Sequence, residues 1–185
     1  MRKQKKNKGF TLLELIISVM VILILSVLAV TSYERQGYRI TLMNASHQVA
    51  QDIGELEEKA MNPDTTTLLY GPLGIHIEYG TSVYFSFFDE DGDNLYSNPN
   101  DSVLEKKALP ENISFLNPIV STGTTEFSVN SVDIIFINSD PKITITGNTG
   151  VSFPEGDRVA IELFNSNTAA TSAVNVYQTG LIEIK

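Results

Sequence analysis

Apolar residues fill the chain from Leu15 to Val30 without a charge, and further on Leu42, Ala45, Val49, Ile53, Leu56 and Ala60 recur at steps of three or four. Counted from Phe10, the first stretch is long enough to cross a bilayer, for which about 20 residues suffice. The second has the period of one helix face, with Arg35, Arg39, Gln48, Gln51, Asp52, Glu55, Glu57, Glu58 and Lys59 at the other positions. Together they predict one long helix over residues 10–62, membrane-spanning over 10–30 and amphipathic beyond. Gly37 and Gly54 weaken it by about 1 kcal/mol each relative to alanine, and Asn62-Pro63-Asp64 should end it. Thr31-Ser32 and Gly37 are candidate break points, so a membrane helix followed by a separate second helix stays open.

From Thr65 the texture changes to short runs rich in β-branched and aromatic residues, divided by Gly, Pro, Asn and Asp. Strands are expected at about Gly74–Glu78, Ser82–Phe88, Val103–Ala108, Ile113–Phe115, Val132–Ile137, Lys142–Thr146, Val159–Phe164, Asn175–Tyr177 and Leu181–Ile184. Tyr79-Gly80-Thr81 and Gln178-Thr179-Gly180 read as hairpin turns. The Ser/Thr/Asn-rich stretches Ser121–Ser131 and Asn165–Ser172 read as exposed loops. The fold class that follows is α+β: a long N-terminal helix packed on a C-terminal antiparallel β-sheet or sandwich domain spanning residues 63–185.

Charge adds a direction. Arg2, Lys3, Lys5, Lys6 and Lys8 precede the apolar run and should stay cytoplasmic, which places everything after Val30 across the membrane. From Phe10 on, eight basic residues face twenty-two acidic ones, a formal net charge of −14 against −9 for the whole chain. Such a surface repels phosphate backbones and argues against nucleic-acid binding. With no cysteine there is neither a disulfide framework nor a thiolate metal site. One carboxylate, Glu14, stands at the edge of the apolar run, where an ionised acid costs roughly 2.5–3.5 kcal/mol near a bilayer centre and usually has a partner or a function.

The order of basic stub, Gly9, Phe10, Thr11, Leu12, Leu13, Glu14 and long apolar run resembles the processing and assembly signal of type IV pilins and of the pseudopilins of type II secretion. The resemblance implies that residues 1–9 are a leader, cut between Gly9 and Phe10 by a prepilin peptidase that also methylates the new amine of Phe10. It implies that Glu14 neutralises the N-terminal ammonium of a neighbouring subunit in a filament core of apolar helices. A matched pair is tolerated in such a core, where two separate charges are not. The implied partners are the peptidase/methyltransferase, other pilins or pseudopilins and an inner-membrane assembly platform. The implied localisation is a single-pass cytoplasmic-membrane precursor with an extracytoplasmic C-terminal domain, later part of a periplasmic or surface filament. More loosely, Leu56-Glu57-Glu58-Lys59-Ala60, Gly74-Ile75-His76, Phe88-Asp89-Glu90-Asp91-Gly92-Asp93 and Val174-Asn175-Val176-Tyr177-Gln178-Thr179-Gly180-Leu181-Ile182-Glu183-Ile184 look like H-type minor pseudopilins and minor tip pilins. The chain lacks the terminal cysteine pair of many major pilins and the proline common near the middle of their apolar helix. A secretory signal peptide would have a shorter apolar core and a better cleavage site than Ala29-Val30-Thr31, and a plain anchor would explain neither Glu14 nor the Gly-Phe junction.

Other chemistry is thinly represented. Asp89, Asp91 and Asp93, with Asp101 nearby, could converge on calcium, but the spacing fails the EF-hand pattern and an Asp-Gly turn is the simpler reading. No cofactor is otherwise expected. His47 and His76 belong to no recognisable catalytic or metal pattern, so an anchored extracytoplasmic enzyme is the weaker alternative. A competence or adhesive subunit of a similar filament is another. Arg158, Lys106-Lys107 and Lys142 are too scattered to argue DNA binding.

Overall fold

A computed structural model describes residues 10–62, 71–137, 143–149 and 155–185; the side chains of 28–35 and 155 are outside the described set. The chain divides into two compact units, residues 1–37 and 38–185. Helix α1 runs Leu12–Met61, so it begins in the first unit and ends in the second. Helical backbone continues through Thr31, Ser32 and Gly37, so neither candidate break point ends the helix. The last turn closes at Asn62, whose N–H reaches the Glu58 carbonyl at 3.0 Å; Pro63 and Asp64 lie outside the described residues.

In the second unit, the predicted helix stripe is the buried one: Leu42, Ala45, Val49, Ile53, Leu56 and Ala60 are all at most 5% exposed. Among the described residues, twelve strands accompany it. The first sheet orders β3 (Ser102–Ala108), β2 (Val83–Phe88), β1 (Leu73–Glu78), β7 (Ser131–Phe136), β8 (Ile143–Asn148) and β9 (Glu155–Gly156). The second orders β12 (Ile182–Ile184), β11 (Ala170–Tyr177), β10 (Arg158–Asn165), β5 (Ile119–Thr122) and β6 (Thr125–Ser128). Strand β4 (Ile113–Phe115) pairs the far end of β10, against Leu163–Asn165, while β5 pairs Arg158–Ala160. Every pairing is antiparallel, and the fold is α+β, with the helix stripe and residues of both sheets in one apolar core.

Two expected loops are strand over at least half their length. Ser121–Ser131 contains the end of β5, all of β6 and the start of β7, with Gly123 (φ 58°) in the two-residue turn that pairs Thr122 with Thr125. Its polar composition marks an exposed edge strand, not an irregular one: all four β6 residues face solvent. The Asn165–Ser172 loop shrinks to four residues, because Asn165 and Ala170 are already a β10–β11 pair. The predicted start of β8, Lys142, lies outside the described residues.

The first sheet is covered on its outer side as well. Phe87 and Ile135 are fully buried there, and Tyr96, from the loop between β2 and β3, meets Phe85 and Phe87 edge-on at 4.7 and 5.2 Å. A Cβ on Gly74 would stand 2.5 Å from the Phe87 ring and 2.6 Å from Ile135. Only glycine lets these two side chains close over β1.

Candidate functional site

At the N-terminal end, Phe10 and Thr11 precede α1, whose first residue is Leu12. The Thr11 hydroxyl oxygen accepts the Glu14 N–H at 3.3 Å, and the Thr11 carbonyl accepts the Leu15 N–H at 3.2 Å. Thr11 is therefore the N-cap and Glu14 the third helical residue, the Thr-x-x-Glu spacing of a capping box. The exposed Glu14 carboxylate sits in the first turn, where the helix dipole favours negative charge. Ser18 and Ser26 return their hydroxyls to the carbonyls of Glu14 and Ile22, at 2.8 and 2.7 Å, which hides two polar groups within the apolar stretch. Gly9 lies outside the described residues.

Thirteen large apolar side chains between Leu12 and Val27 are 48–79% exposed. At about 1.5–3 kcal/mol each, their removal from water is worth on the order of 20–40 kcal/mol, far more than the few kcal/mol that Glu14 costs. An exposed apolar surface of this size marks a site of contact with a membrane or with another protein. Among the described residues no helix is long and apolar enough to cross a membrane. The apolar run of the sequence continues to Val30, past Val27, where described side chains stop.

The four aspartates proposed for calcium divide. Oxygens of Asp89, Asp91 and Asp101 lie within 4.8 Å of one another; Asp93 is not among them. These residues shape the thirteen-residue segment Asp89–Asp101 linking β2 to β3, in which Gly92 (φ 75°) turns the chain after Asp91. Asp89 accepts the N–H groups of Gly92 and Asn94 at 2.7 and 3.1 Å, and Asp101 those of Glu90 and Ser97 at 3.0 and 2.6 Å. Asp91 takes the Asn100 side-chain amide at 3.0 Å, and Asp93 takes the Leu95 N–H at 2.8 Å. Burial pushes the Asp89 carboxyl above the usual carboxylate range, opposed by its two N–H donors. Both oxygens of the two buried acids accept backbone N–H groups. These bonds staple the loop that roofs the first sheet.

His47 is exposed on α1. His76 Nδ1 is 2.7 Å from Asp133 Oδ1, and its ring stacks on Phe85 at 5.0 Å. Thr146, whose buried hydroxyl has no partner, lies across from Asp133, with His76 on the other side of that acid. With the carboxylate in the middle, the histidine is not placed to take a proton from the threonine, so the row is not a hydrolytic triad. The basic residues are separately engaged. Arg158 binds Glu126 and Ser121, each at 3.0 Å, Lys106 lies over Phe85 at 5.9 Å from the ring centroid, and Lys107 binds Asp52 at 2.8 Å. Lys142 lies outside the described residues.

Asp52 is also the acceptor of the Tyr84 hydroxyl. Burial, and then the adjacent Asp52 carboxylate, push the Tyr84 phenol well above its ordinary value, while the bond to Asp52 holds the Lys107 ammonium above the usual lysine value. A cavity of about 20 Å³ beside this trio has room for one water. Sequence reasoning missed the trio, which no local signal announces. It also missed Thr11, which the capping-box spacing could have revealed.

Comparison with known proteins bears on the N-terminal end. A family profile described as the prokaryotic N-terminal methylation motif matches residues 4–30. No curated protein matches the chain in sequence. Among solved structures, the minor pseudopilin EpsH from the type 2 secretion system of Vibrio cholerae is similar at 10% identity and a TM-score of 0.48, over 78% of this chain and 95% of that one. At that TM-score the likeness decides nothing here. The profile match supports the resemblance to type IV pilins and type II secretion pseudopilins, and the chain carries at residues 4–30 the prokaryotic N-terminal methylation motif.

Proposed function

We propose that this chain is the precursor of a structural subunit of a type IV pilus or type II secretion pseudopilus. It is inserted in the cytoplasmic membrane, cleaved between Gly9 and Phe10, methylated on the Phe10 amine, and assembled through its apolar helix. The observation that carries this reading is the match of the methylation motif to residues 4–30. Two structural features support it. The exposed apolar side chains from Leu12 to Val27 need a covering that one copy of the chain does not supply within its N-terminal segment. Glu14, at the start of that segment, can meet an incoming ammonium with a charge whose backbone is already capped. The looser resemblances of the β domain favour a minor, tip-type subunit. Its role is mechanical: the helix packs in the filament, and the domain from Tyr38 on faces other subunits or exported cargo. The partners are the prepilin peptidase, other pilins or pseudopilins and the assembly platform.

The test is expression of the full chain with a prepilin peptidase, followed by intact mass and N-terminal peptide mass spectrometry. A chain beginning at methylated Phe10 is expected. An uncut Met1 chain, or one cut near Thr31, would overturn the assignment.

A further inference from the structure

On the outer face of the second sheet, four adjacent strands set four polar side chains in one row. Glu126 on β6 pairs with Ser121 on β5, Ser121 with Arg158 on β10, and Arg158 with Tyr177 on β11. Val120, Val159 and Val176, one residue away on these strands, are fully buried in the core, so by strand alternation the row faces away from it. Asp157, just before β10, is pinned beside the row. Its N–H donates to the Ser121 carbonyl and its carbonyl accepts the Gln178 N–H, each at 2.8 Å, while its Oδ2 accepts the Gly123 N–H of the β5–β6 turn at 2.9 Å. Together with Thr124 these residues line an open groove of about 510 Å³, within the size range of ligand sites, roughly 300–1,000 Å³.

The place of the groove in the second unit follows from α1. Ser46 donates its hydroxyl to Ser172 at 2.8 Å near the start of β11, and Gly180, past the end of that strand, lies against the Glu57 side chain. Strand β11 thus runs alongside the helix from the level of Ser46 to that of Glu57, and Tyr177 lies at the end of the unit away from Tyr38. The side chains then select among ligands. Arg158 uses one terminal nitrogen, Nη2, for Ser121 and Glu126, and among the described residues the other three N–H groups of its fork have no partner. An anionic ligand would meet Asp157 and Glu126, both exposed, and an ammonium would meet Arg158. A neutral molecule rich in hydroxyl groups meets neither conflict. It donates to the two carboxylates and accepts from the guanidinium, with the Tyr177 ring, tethered through its hydroxyl to Glu183 at 3.1 Å, as an apolar flank.

We propose that this groove binds a neutral saccharide, held by hydroxyl bonds to Asp157, Glu126 and Arg158 and by packing on Tyr177. Recognition of a sugar is a function beyond the structural role of the subunit, and its test does not depend on processing or assembly. The test is ligand-observed saturation-transfer NMR of the full chain in micelles of a polyoxyethylene detergent, which carries no sugar. The probes are glucose, galactose, mannose and N-acetylglucosamine, with glucosamine and glucuronate as charged relatives. At least one neutral sugar should bind with a dissociation constant of about 1 mM, the weak regime of an open, solvated site. Asp157→Asn keeps the shape but makes the acceptor neutral, and Arg158→Gln removes the fork; each should weaken that sugar about tenfold. Being nearly isosteric, Asp157→Asn still decides the matter where Arg158→Gln does not fold. Absence of binding by all four neutral sugars would overturn the proposal. So would a sugar whose binding the variants leave at the parental level, since it would sit elsewhere, and so would tighter binding of glucosamine or glucuronate than of any neutral sugar.

Discussion

Replacing Tyr84 with phenylalanine isolates the contact that ties α1 to the first sheet. The ring is 1% exposed and packs edge-on against Phe115 at 5.8 Å, so the substitution keeps the shape and removes only the hydroxyl. Asp52 then keeps Lys107 at 2.8 Å but loses the phenol. A hydrogen bond to a charged group contributes about 1.5–3 kcal/mol net, and that is the expected loss of stability. Asp52→Ala should cost about 1–4 kcal/mol. It strands a buried phenol, at about 1–3 kcal/mol, whereas the partly exposed Lys107 ammonium rehydrates and adds at most about 1. In the double variant no phenol is stranded, so its cost should fall short of the sum of the singles by about 2.5–6 kcal/mol. The assay is urea unfolding of the full chain in nonionic micelles, followed by circular dichroism and tyrosine fluorescence. A Tyr84→Phe loss below about 0.5 kcal/mol together with additive singles would refute the idea that this carboxylate holds helix to sheet.

Three further outcomes are expected. Glu14→Ala should insert in the membrane as the parent does, because apolar burial exceeds the cost of the carboxylate by roughly tenfold, but should enter filaments poorly; normal recruitment in a pull-down of assembled filaments would remove its assigned role. Added calcium at millimolar concentration should leave the thermal midpoint unchanged, and a rise of more than about 4 °C, roughly 1 kcal/mol for a domain this size, would show that the aspartate cluster binds the ion after all. Burial raises the carboxyls of Asp89, Asp93 and Glu57 above their ordinary values of 3.8, 3.8 and 4.5. The native state therefore keeps protons that the unfolded chain has released, so their contribution is present below about pH 4 and lost as pH rises through the folded values. Urea midpoints should decline as pH rises above about 4, and the decline should flatten in Asp89→Asn; a parental midpoint that climbs there would contradict the sign.

The register of α1 was legible because it depends on nearest neighbours along one helix. Leu42 to Ala60 alternate with charged residues at a period that only one face can bury, and that face is the buried one. Strand positions were mostly legible for the same reason, and the misreadings fell where composition and conformation part. Strand β6, Thr-Glu-Phe-Ser, is polar because it is an exposed edge, and polarity alone reads as loop. The aspartates were legible as a cluster but not as a staple, since spacing cannot say which backbone N–H groups will turn toward them.

By itself the sequence determined the N-terminal segment: its basic stub, its apolar run, the methylation motif and the lone Glu14 are all properties of consecutive residues. Tertiary structure alone decided what lies far apart in the chain. Tyr84 and Lys107 reach Asp52 across 32 and 55 residues, His76 finds Asp133 across 57, and Gly74 is needed only because Phe87 and Ile135 close over it. Helix period and membrane length are set by local geometry, whereas the partner of a buried polar group is set by which strands happen to be neighbours, and strand order is a property of the folded core as a whole.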